Sequence, residues 1–294
     1  MTYQFIGVDI GGSHITAALV NIQEGVVEEH TLVRAKVDPH QDADTILMAW
    51  STAIQTVADI AGLRTYQLGI AMPGPFDYTA GISLMKNVNK YEHLYGINIR
   101  KELAERLGIE QICIHFRNDA EAFLEGEMLF GAGKSFGTGI GLTLGTGLGT
   151  SKFNQGLTTD MALGINHPMH EGVAEDYIST RWFIGRYQEL TQQSVQGVKP
   201  LVELYQEDRN AQQVFQEFSE NISLFVSEVI ELFQPEVIVF GGNIAQASSL
   251  FFEAIEAKIK HCNPPILLKK SILNENAALM GAVGFGVSMS PVQE

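Results

Sequence analysis

Cysteine is scarce in this sequence. The two that occur, Cys113 and Cys262, lie far apart and in apolar contexts. Disulfide-stapled domains and cysteine-based metal sites need several thiols at short spacing, so the sequence disfavours both classes. We expect two buried, reduced thiols.

Basic residues are also few: 19 Lys and Arg stand against 34 Asp and Glu, for a formal net charge of −15. A nucleic-acid backbone would be repelled without a compensating basic face, so we expect no nucleic-acid partner. A small phosphate ligand is still possible, because backbone N–H groups and helix N-termini can hold one locally.

Long hydrophobic runs are missing. No apolar stretch approaches the roughly 20 residues that a membrane-spanning helix needs, so we expect no membrane partner. Residues 1–20 lack a basic stretch and contain a Gly-Gly pair and an aspartate, which is not the pattern of a signal peptide. We expect a cytoplasmic protein, and its 294 residues suffice for two globular domains.

The order of predicted elements repeats along the chain. A strand, a glycine turn and a second strand, at 3–10 and 14–22 and again at 138–144 and 150–154, are each followed by helices and strands. The further strands are predicted at 26–37, 67–71, 111–115, 236–240 and 266–269, and the helices at 42–61, 99–107, 116–128, 210–233, 248–261 and 275–287. This loose duplication predicts two α/β lobes around a central cleft, because ligands favour domain interfaces.

Glycine is plentiful, and its first cluster follows the first strand. In Asp9-Ile-Gly-Gly-Ser13, Gly11 and Gly12 let backbone N–H groups face an anion, and Ser13 adds a hydroxyl. Asp9 could hold a hydrated Mg²⁺. Taken alone, the segment is explained more simply as a glycine hairpin turn.

Two further glycine clusters are Gly145-Thr-Gly-Leu-Gly149 and Gly241-Gly242. The former partly fits the dinucleotide pattern Gly-x-Gly-x-x-Gly, but Thr150 breaks it and a strand follows where that pattern needs a helix. A hairpin loop that grips phosphate therefore fits better than a dehydrogenase. Gly241-Gly242 can approach a flat ring closely, although a structural turn explains it equally well.

Asn118 and Asp119 follow a predicted strand and open a predicted helix, a position typical of a helix N-cap. The alternative is that Asp119 is a general base, which accepts a hydroxyl proton as the oxygen attacks a γ-phosphoryl group. Asn118 would then bind a neighbouring hydroxyl.

Taken together, these segments resemble the ROK family of the actin-like ATPase superfamily, which contains bacterial glucokinases, fructokinases and N-acetylhexosamine kinases as well as sugar-responsive regulators. The resemblance covers nearly the whole chain. Its motifs, in order, are Ile6-Gly-Val-Asp-Ile-Gly-Gly-Ser13, Ala71-Met-Pro-Gly-Pro-Phe-Asp77 with Gly81 and Asn87, Asn118-Asp-Ala-Glu-Ala122 with Gly126-Glu127, Leu144-Gly-Thr-Gly-Leu-Gly149, Phe240-Gly-Gly-Asn243 and Asn276-Ala-Ala-Leu-Met-Gly-Ala282.

The resemblance implies an α/β fold of two ribonuclease-H-like (actin-like ATPase) lobes around a central cleft. One lobe is 1–117, closed by a C-terminal helix at about 275–294, and the other is 118–274. It also implies a homodimeric sugar kinase that uses ATP and Mg²⁺, with Asp119 as catalytic base and Asp9 contacting Mg²⁺ through water. The residues implied to bind ATP are Asp9, Gly11, Gly12, Ser13, Gly145, Thr146, Gly147, Gly149, Gly241 and Gly242. Those implied to face the sugar are Asn87, Asn118, His167 and Glu175, although an ordinary surface histidine is nearly as good an interpretation of His167.

The sequence departs from the family pattern in two places. His14 stands where a lysine is common, and Gly164-Ile-Asn-His167 stands where many members carry Glu-x-Gly-His. Many members continue with a cysteine-rich Zn²⁺ motif, but here no cysteine follows. His167, His170 and Glu171 are an inadequate set for tetrahedral zinc, so we expect no structural zinc.

The expected reaction is transfer of the ATP γ-phosphoryl group to a sugar hydroxyl, with the 6-hydroxyl of a hexose or N-acetylhexosamine as the preferred acceptor. One alternative is a transcription regulator. Regulators of the family carry an N-terminal winged helix, and we expect none here because the first strand begins at about Tyr3. Another alternative is a non-catalytic sugar or nucleotide sensor, which the altered segment 164–175 favours and Asp119 disfavours.

Overall fold

The computed structural model describes residues 3–262 and 264–289. Its internal contacts form two compact units, residues 3–131 with 275–289 and residues 132–274. We predicted the boundary after Arg117, but the first unit runs on to Gly131. The reason is that the helix that begins at Asp119 makes its main contacts with the C-terminal helix of the first unit. Of the predicted C-terminal segment, residues 290–294 lie outside the described part of the chain.

Both units contain strands and α-helices. The strands are β1 (Phe5–Ile10), β2 (His14–Asn21), β3 (Val26–Val27), β4 (Val33–Lys36), β5 (Gln67–Met72), β6 (Phe76–Asp77), β7 (Ile82–Ser83), β8 (Ile114–Asn118), β9 (Thr138–Leu144), β10 (Leu148–Asn154), β11 (Leu157–Asp160), β12 (Pro168–Met169), β13 (Gly172–Val173), β14 (Val237–Gly241) and β15 (Leu267–Lys270). The α-helices are α1 (Ala43–Ile60), α2 (Ile99–Leu107), α3 (Asp119–Phe130), α4 (Leu163–Asn166), α5 (Ala174–Tyr177), α6 (Thr180–Thr191), α7 (Val198–Leu204), α8 (Arg209–Phe233), α9 (Phe252–Ile259) and α10 (Asn276–Ala282).

The first unit is built on a mixed sheet in the order β3-β2-β1-β5-β8, with β4 also paired to β2. β1 and β2 form the predicted antiparallel hairpin, while β1, β5 and β8 run parallel. In register, Asp9 lies opposite Ala71 and Met72 lies opposite Asn118. Asp9 and Asn118 therefore lie at the same edge of the sheet, the carboxyl edge, where α/β folds bind ligands.

Helices cover this sheet. α1 is capped by the Asp42 side chain and buries Ile46, Trp50, Ile54 and Val57 at helical spacing. α10 contacts both β1 and α3.

The contact between α3 and α10 depends on two glycines. A Cβ on Gly281 would overlap the Ala122 carbonyl, and one on Gly126 would overlap the Ala277 carbonyl. The two helix backbones therefore approach each other more closely than any side chain allows. This contact fixes α3, whose first residue is Asp119.

The second unit is built on a mixed sheet in the order β11-β10-β9-β14-β15. β9 and β10 form the predicted hairpin, and β9, β14 and β15 run parallel. The long helix α8 buries Phe218, Ile222, Phe225 and Val229 in the core of this unit, as its three- and four-residue spacing predicts.

Several predicted elements differ in extent. The predicted C-terminal helix 275–287 is an α-helix only as far as Ala282 and continues as a 3₁₀ turn at Gly284–Val287. The predicted strand 26–37 is interrupted by a 3₁₀ turn at Glu29–Thr31, so that β3 and β4 pair separately with β2. The predicted strand 111–115 begins as a 3₁₀ turn, and β8 runs on to Asn118. The predicted helix 248–261 is divided where Phe251 leaves helical geometry with a φ of −139°. Side-chain periodicity shows which face is buried, but it does not show where the backbone changes geometry.

Cys113 and Cys262 are free thiols, as expected, although both are half-buried and not fully buried. Across residues 3–262 and 264–289, no helix is long and apolar enough to cross a membrane.

Candidate active site

The first predicted phosphate loop is the turn of the β1–β2 hairpin. The Gly11 N–H donates to the His14 carbonyl at 2.9 Å, which closes the turn. From the other side, the buried Tyr91 donates its hydroxyl to the Gly11 carbonyl at 2.7 Å. Gly12 and Ser13 remain exposed at the tip, so the loop is fixed at its base and accessible where a phosphate would bind.

Asp9 lies in β1 just before this loop and is partly buried. Burial, followed by the negative charge of Asp119, raises the pKa of Asp9 to about 7; Glu275 adds to the rise and Arg34 opposes it. Arg34 donates hydrogen bonds to Glu275 at 2.8 Å and to His14 at 3.1 Å. The repulsion between the carboxylates of Asp9 and Asp119 makes this a favourable place for a cation.

The residues around Asp9 fit a hydrated Mg²⁺. This ion keeps several waters and takes one or two carboxylates together with phosphate oxygens. Among the described residues, no group of three or more His, Cys, Asp or Glu side chains is arranged to hold a metal. Asp9 is therefore the residue that could contact the hydrated ion. Asp119 is close enough to Asp9 to interact electrostatically with the same ion.

Asn118 and Asp119 lie where β8 passes into α3. The Asn118 side-chain oxygen accepts from the N–H groups of Ala120 at 2.8 Å and Glu121 at 3.2 Å, and its amide donates to the Tyr78 hydroxyl at 3.2 Å. The N-cap interpretation is thus correct for Asn118. Because the cap fixes this turn, the next residue, Asp119, presents an exposed carboxylate at the start of the helix.

Asn87 lies in an irregular segment after β7 and is exposed. Its backbone is left-handed, with a φ of 60°, and so are Asn89 and Tyr91, with φ of 57° and 54°. This geometry costs Tyr91 on the order of 1–2 kcal/mol and costs the two asparagines less, and strain of this kind concentrates at functional sites. Tyr91 connects this segment to Gly11 of the first loop.

The second predicted phosphate loop is the turn between β9 and β10. Within it, the Gly145 N–H donates to the Gly147 carbonyl at 3.0 Å. Thr180 donates both its N–H, at 2.8 Å, and its hydroxyl, at 2.9 Å, to the Gly145 carbonyl. At the other end of the loop, the Leu148 N–H donates to the Glu175 carboxylate at 3.0 Å.

The third glycine cluster lies beside the second loop. Gly241 ends β14, and Gly242 follows with a φ of 82°, where a Cβ would overlap the Leu144 backbone. Only glycine fits there.

A cavity of about 610 Å³ lies within the same unit, and its lining includes Thr146, Thr180, Lys199, Val202, Asn243 and Gln246. The loop residue Thr146 and Asn243, which follows Gly242, thus share one cavity, and its volume suits a small-molecule ligand. Gly149 already belongs to β10.

The altered segment packs on the long helix α8. His167 hydrogen-bonds the Glu228 carboxylate at 2.5 Å, and His170 bonds Asn221 at 3.0 Å. Gly164 packs so closely on β10 that a Cβ would overlap the Leu148 carbonyl. Position 164 therefore has no room for the glutamate of the family pattern.

The predicted site residues form two groups, one in each unit. In the first unit, Asp9, the loop 11–13, Asn118 and Asp119 lie at the carboxyl edge of the sheet, and Asn87 lies on the segment that Tyr91 ties to that loop. In the second unit, the loop 145–147 lies next to Glu175, and Gly242 packs on Leu144 at the start of that loop. His167 hydrogen-bonds α8 through its ring, and its carbonyl accepts from the N–H of Ala174, next to Glu175.

Several site residues were not predicted from the sequence. They are Arg34, Tyr91, Thr180, Arg181 and Lys199. Only Arg34 had a usable signal, because a strand at 26–37 that pairs with β2 would place it opposite Thr16, near the first loop.

Known proteins resemble this chain over nearly its whole length. A glucokinase from Thermotoga maritima is 26% identical over 95% of this chain and 96% of its own length. An N-acetyl-D-glucosamine kinase from Haemophilus influenzae is 22% identical over 95% of this chain and 97% of its own length.

Among solved structures, a ROK family glucokinase from Streptomyces griseus, in complex with glucose and AMPPNP, matches with a TM-score of 0.75. It is 23% identical and covers 96% of this chain and 98% of its own. This likeness confirms the predicted α/β fold of the actin-like ATPases. The model of the ROK family matches residues 5–160 and 168–285, and the chain therefore belongs to the ROK family.

Proposed function

We propose that this protein is an ATP-dependent sugar kinase. The observation that carries the proposal is the exposed Asp119 carboxylate, which the Asn118 cap holds beside Asp9 at the carboxyl edge of the parallel strands. Membership of the ROK family and the kinase activities named for its relatives from Thermotoga maritima and Haemophilus influenzae support the same function.

In the proposed reaction, Asp119 is the general base. It accepts the proton of a sugar hydroxyl while that oxygen forms a bond to the γ-phosphorus of ATP and the bond from this phosphorus to the bridging oxygen breaks. The products are a sugar phosphate, ADP and a protonated Asp119, which later releases its proton to water. When bound near Asp9, Mg²⁺ supplies positive charge to the phosphate oxygens.

The nucleotide is assigned to the glycine loops and to the cavity of the second unit. Backbone N–H groups of the loops 11–13 and 145–147 suit phosphate oxygens. The cavity between Thr146, Lys199 and Asn243 has the volume of a small-molecule site and is assigned to adenosine.

The sugar is assigned to the exposed side of Asn118 and Asp119, with Asn87 as a further contact. We propose that the acceptor is the 6-hydroxyl of a hexose or N-acetylhexosamine, which agrees with the substrates named for the relatives. A cytoplasmic homodimer that requires Mg²⁺ completes the proposal.

The test is Asp119→Asn, assayed for ADP release with ATP and a panel of hexoses and N-acetylhexosamines. Loss of a general base lowers kcat by about 10²–10⁴-fold, so we expect a loss of that size with the preferred sugar. Unchanged turnover would remove Asp119 from the base role.

Glu105→Gln is the matched control. Glu105 is an exposed carboxylate of the same unit and contacts Lys101 one helical turn away in α2. We expect wild-type kcat from this variant. If the wild-type protein binds a sugar saturably but releases no ADP with any sugar of the panel, the protein is a sensor and not a kinase.

A further inference from the structure

We propose that Arg34 binds the phosphates of ATP beside the first glycine loop, residues 11–13, and that His14 positions its guanidinium there. In this proposal Arg34 contacts the substrate directly, whereas His14 acts through Arg34. The inference rests on the function proposed above, because that function assigns the loop to the phosphates of ATP.

The pairing of the strands places Arg34 near the loop. Arg34 lies in β4, opposite Thr16 of β2, and Thr16 lies opposite Asp9 of β1. Residues opposite one another on paired strands point to the same face of the sheet, and neighbouring strands are about 4.8 Å apart. Arg34 and Asp9 therefore lie in one row on the same face, two strand spacings (about 10 Å) apart.

Two contacts fix the guanidinium of Arg34. One terminal nitrogen donates to the Glu275 carboxylate at 2.8 Å, and the other donates to Nε2 of His14 at 3.1 Å. Burial, followed by the charge of Arg34, lowers the pKa of His14, so the ring is neutral at pH 7 and Nε2 can accept. Within the described residues, these contacts use two of the five N–H donors of the guanidinium, which leaves three for a ligand.

The same imidazole connects Arg34 to the tip of the loop. Because Arg34 can only donate, Nε2 of His14 accepts, and Nδ1 therefore carries the proton. Nδ1 lies 3.4 Å from the Ser13 hydroxyl oxygen, a long hydrogen bond in which that oxygen accepts. The Ser13 hydroxyl then keeps its own hydrogen for a phosphate oxygen. The ring lies beside Gly11, where a Cβ would come within 3.2 Å of it.

Charge explains why an arginine suits this place. Burial and the charges of Asp119 and Glu275 raise the pKa of Asp9, and the charge of Arg34 opposes that rise. Bound phosphates bring further negative charge, and position 14 does not offset it, because a neutral histidine stands where a lysine is common in the family. The Arg34 side chain is 47% exposed, so a phosphate can reach it, and its planar fork of N–H groups fits phosphate oxygens.

Substitutions of Arg34 test the charge. Arg34→Gln keeps an N–H donor for Glu275 but removes the charge, and we expect the Kd for ATP to rise about tenfold. Arg34→Lys keeps the charge and loses the fork, so we expect a rise of only about threefold. His14→Lys in the Arg34→Gln background returns a cation to the loop, and the Kd for ATP should fall towards that of the wild type.

His14→Phe tests the positioning. Phenylalanine keeps a ring beside Gly11 but cannot accept from Arg34, so we expect the Kd for ATP to rise about threefold. In the Arg34→Gln background the same substitution should have a smaller effect, because the guanidinium that His14 positions is gone. Equal rises in the two backgrounds would show that His14 does not act through Arg34.

The experiment titrates the wild type and each variant with ATP in the presence of Mg²⁺, and separately with adenosine. Adenosine has no phosphates, so its Kd should be equal in all of the proteins. A rise of both Kd values would show a distorted protein and contradict the proposal. Steady-state kinetics adds a second measurement: in Arg34→Gln the KM for ATP should rise while the KM for the sugar stays unchanged.

Arg106→Gln is the matched control. Arg106 belongs to the same unit and, like Arg34, pairs with a carboxylate far away in sequence, donating to Asp44 at 2.6 Å. Its described contacts are with Asp44 and Glu102 and do not include the loop. The Kd for ATP should equal that of the wild type.

Two results overturn the proposal and leave the kinase function intact: an unchanged Kd for ATP in Arg34→Gln, or equal rises in Arg34→Gln and Arg106→Gln. If the wild type binds ATP and phosphorylates no sugar, the proposed function fails, while the titrations still decide the role of Arg34. If the wild type does not bind ATP, both proposals fall.

Discussion

At the scale of single residues, Tyr91 makes two separate contacts, one through its aromatic ring and one through its hydroxyl. The ring is fully buried and packs edge-on against Trp50 at 5.2 Å between centroids, so the core would accept phenylalanine. The hydroxyl donates to the Gly11 carbonyl, 80 residues away in sequence. It thereby joins the segment of Asn87 to the first glycine loop.

We expect Tyr91→Phe to lower the free energy of unfolding by about 1 kcal/mol, because the Gly11 carbonyl loses a buried donor. The KM for ATP should also rise, because that loop is less well fixed. Thermal unfolding and steady-state kinetics measure the two effects.

Tyr66→Phe is the matched control. Tyr66 is also buried, but its hydroxyl has no hydrogen-bond partner among the residues that the structure describes. Removing a buried hydroxyl without a partner is neutral or stabilising. Equal losses of stability in the two variants would show that the contact with Gly11 contributes nothing.

At the scale of elements, the fold holds Asp119 in place through the contact of α3 with α10. That contact has no room for a Cβ on Gly281, since the Ala122 carbonyl occupies the space. We expect Gly281→Ala to lower the free energy of unfolding by about 1–3 kcal/mol, because the helices must move apart. Denaturant unfolding measures this loss.

Gly185→Ala serves as the comparison within a helix. Gly185 lies in α6 and is exposed, and a Cβ there would meet nothing within 4 Å. Alanine in an open helical position stabilises by about 0.5–1 kcal/mol, so the sign of the change should be opposite. A stabilising Gly281→Ala would contradict the close contact.

The elements also show what could be predicted from sequence. The ends of α1 and α8 were predicted to within one residue because each helix has a long apolar periodicity. The interruptions at Glu29–Thr31 and Phe251 were missed, since a short 3₁₀ turn or a single non-helical residue leaves the pattern of apolar residues intact.

At the scale of the whole molecule, we predict that stability needs no metal ion and that the reaction needs Mg²⁺. His167 and His170, the residues nearest to a zinc motif, are bonded to Glu228 and Asn221, which fasten this segment to α8. We expect dialysis against EDTA to leave the melting temperature unchanged and to abolish ADP release. Added Mg²⁺ should restore that release.

Elemental analysis of the purified protein checks the same prediction independently. Zinc bound in a stoichiometric amount, together with a lower melting temperature after chelation, would show that the prediction of no structural zinc is wrong.

The candidate site was predictable where it is local in sequence. The glycine clusters, Asn118 and Asp119 are marked by residue type and by position after a strand. Tyr91 and Arg181 are ordinary residues by composition, and they join the site only because the fold brings Tyr91 to Gly11 and Arg181 to Glu175. The close packing of Gly164 on Leu148 had no sequence signal either, because it depends on the path of β10.

Gly164 also limits how this sequence can be changed. The family pattern carries a glutamate at this position, and Gly164→Glu would look like the simplest way to recover that pattern. Here the carbonyl of Leu148 already occupies the space that the first carbon of the side chain would need. Gly164→Glu therefore requires the β9–β10 hairpin to shift as well, so a single substitution at this position does not restore the pattern.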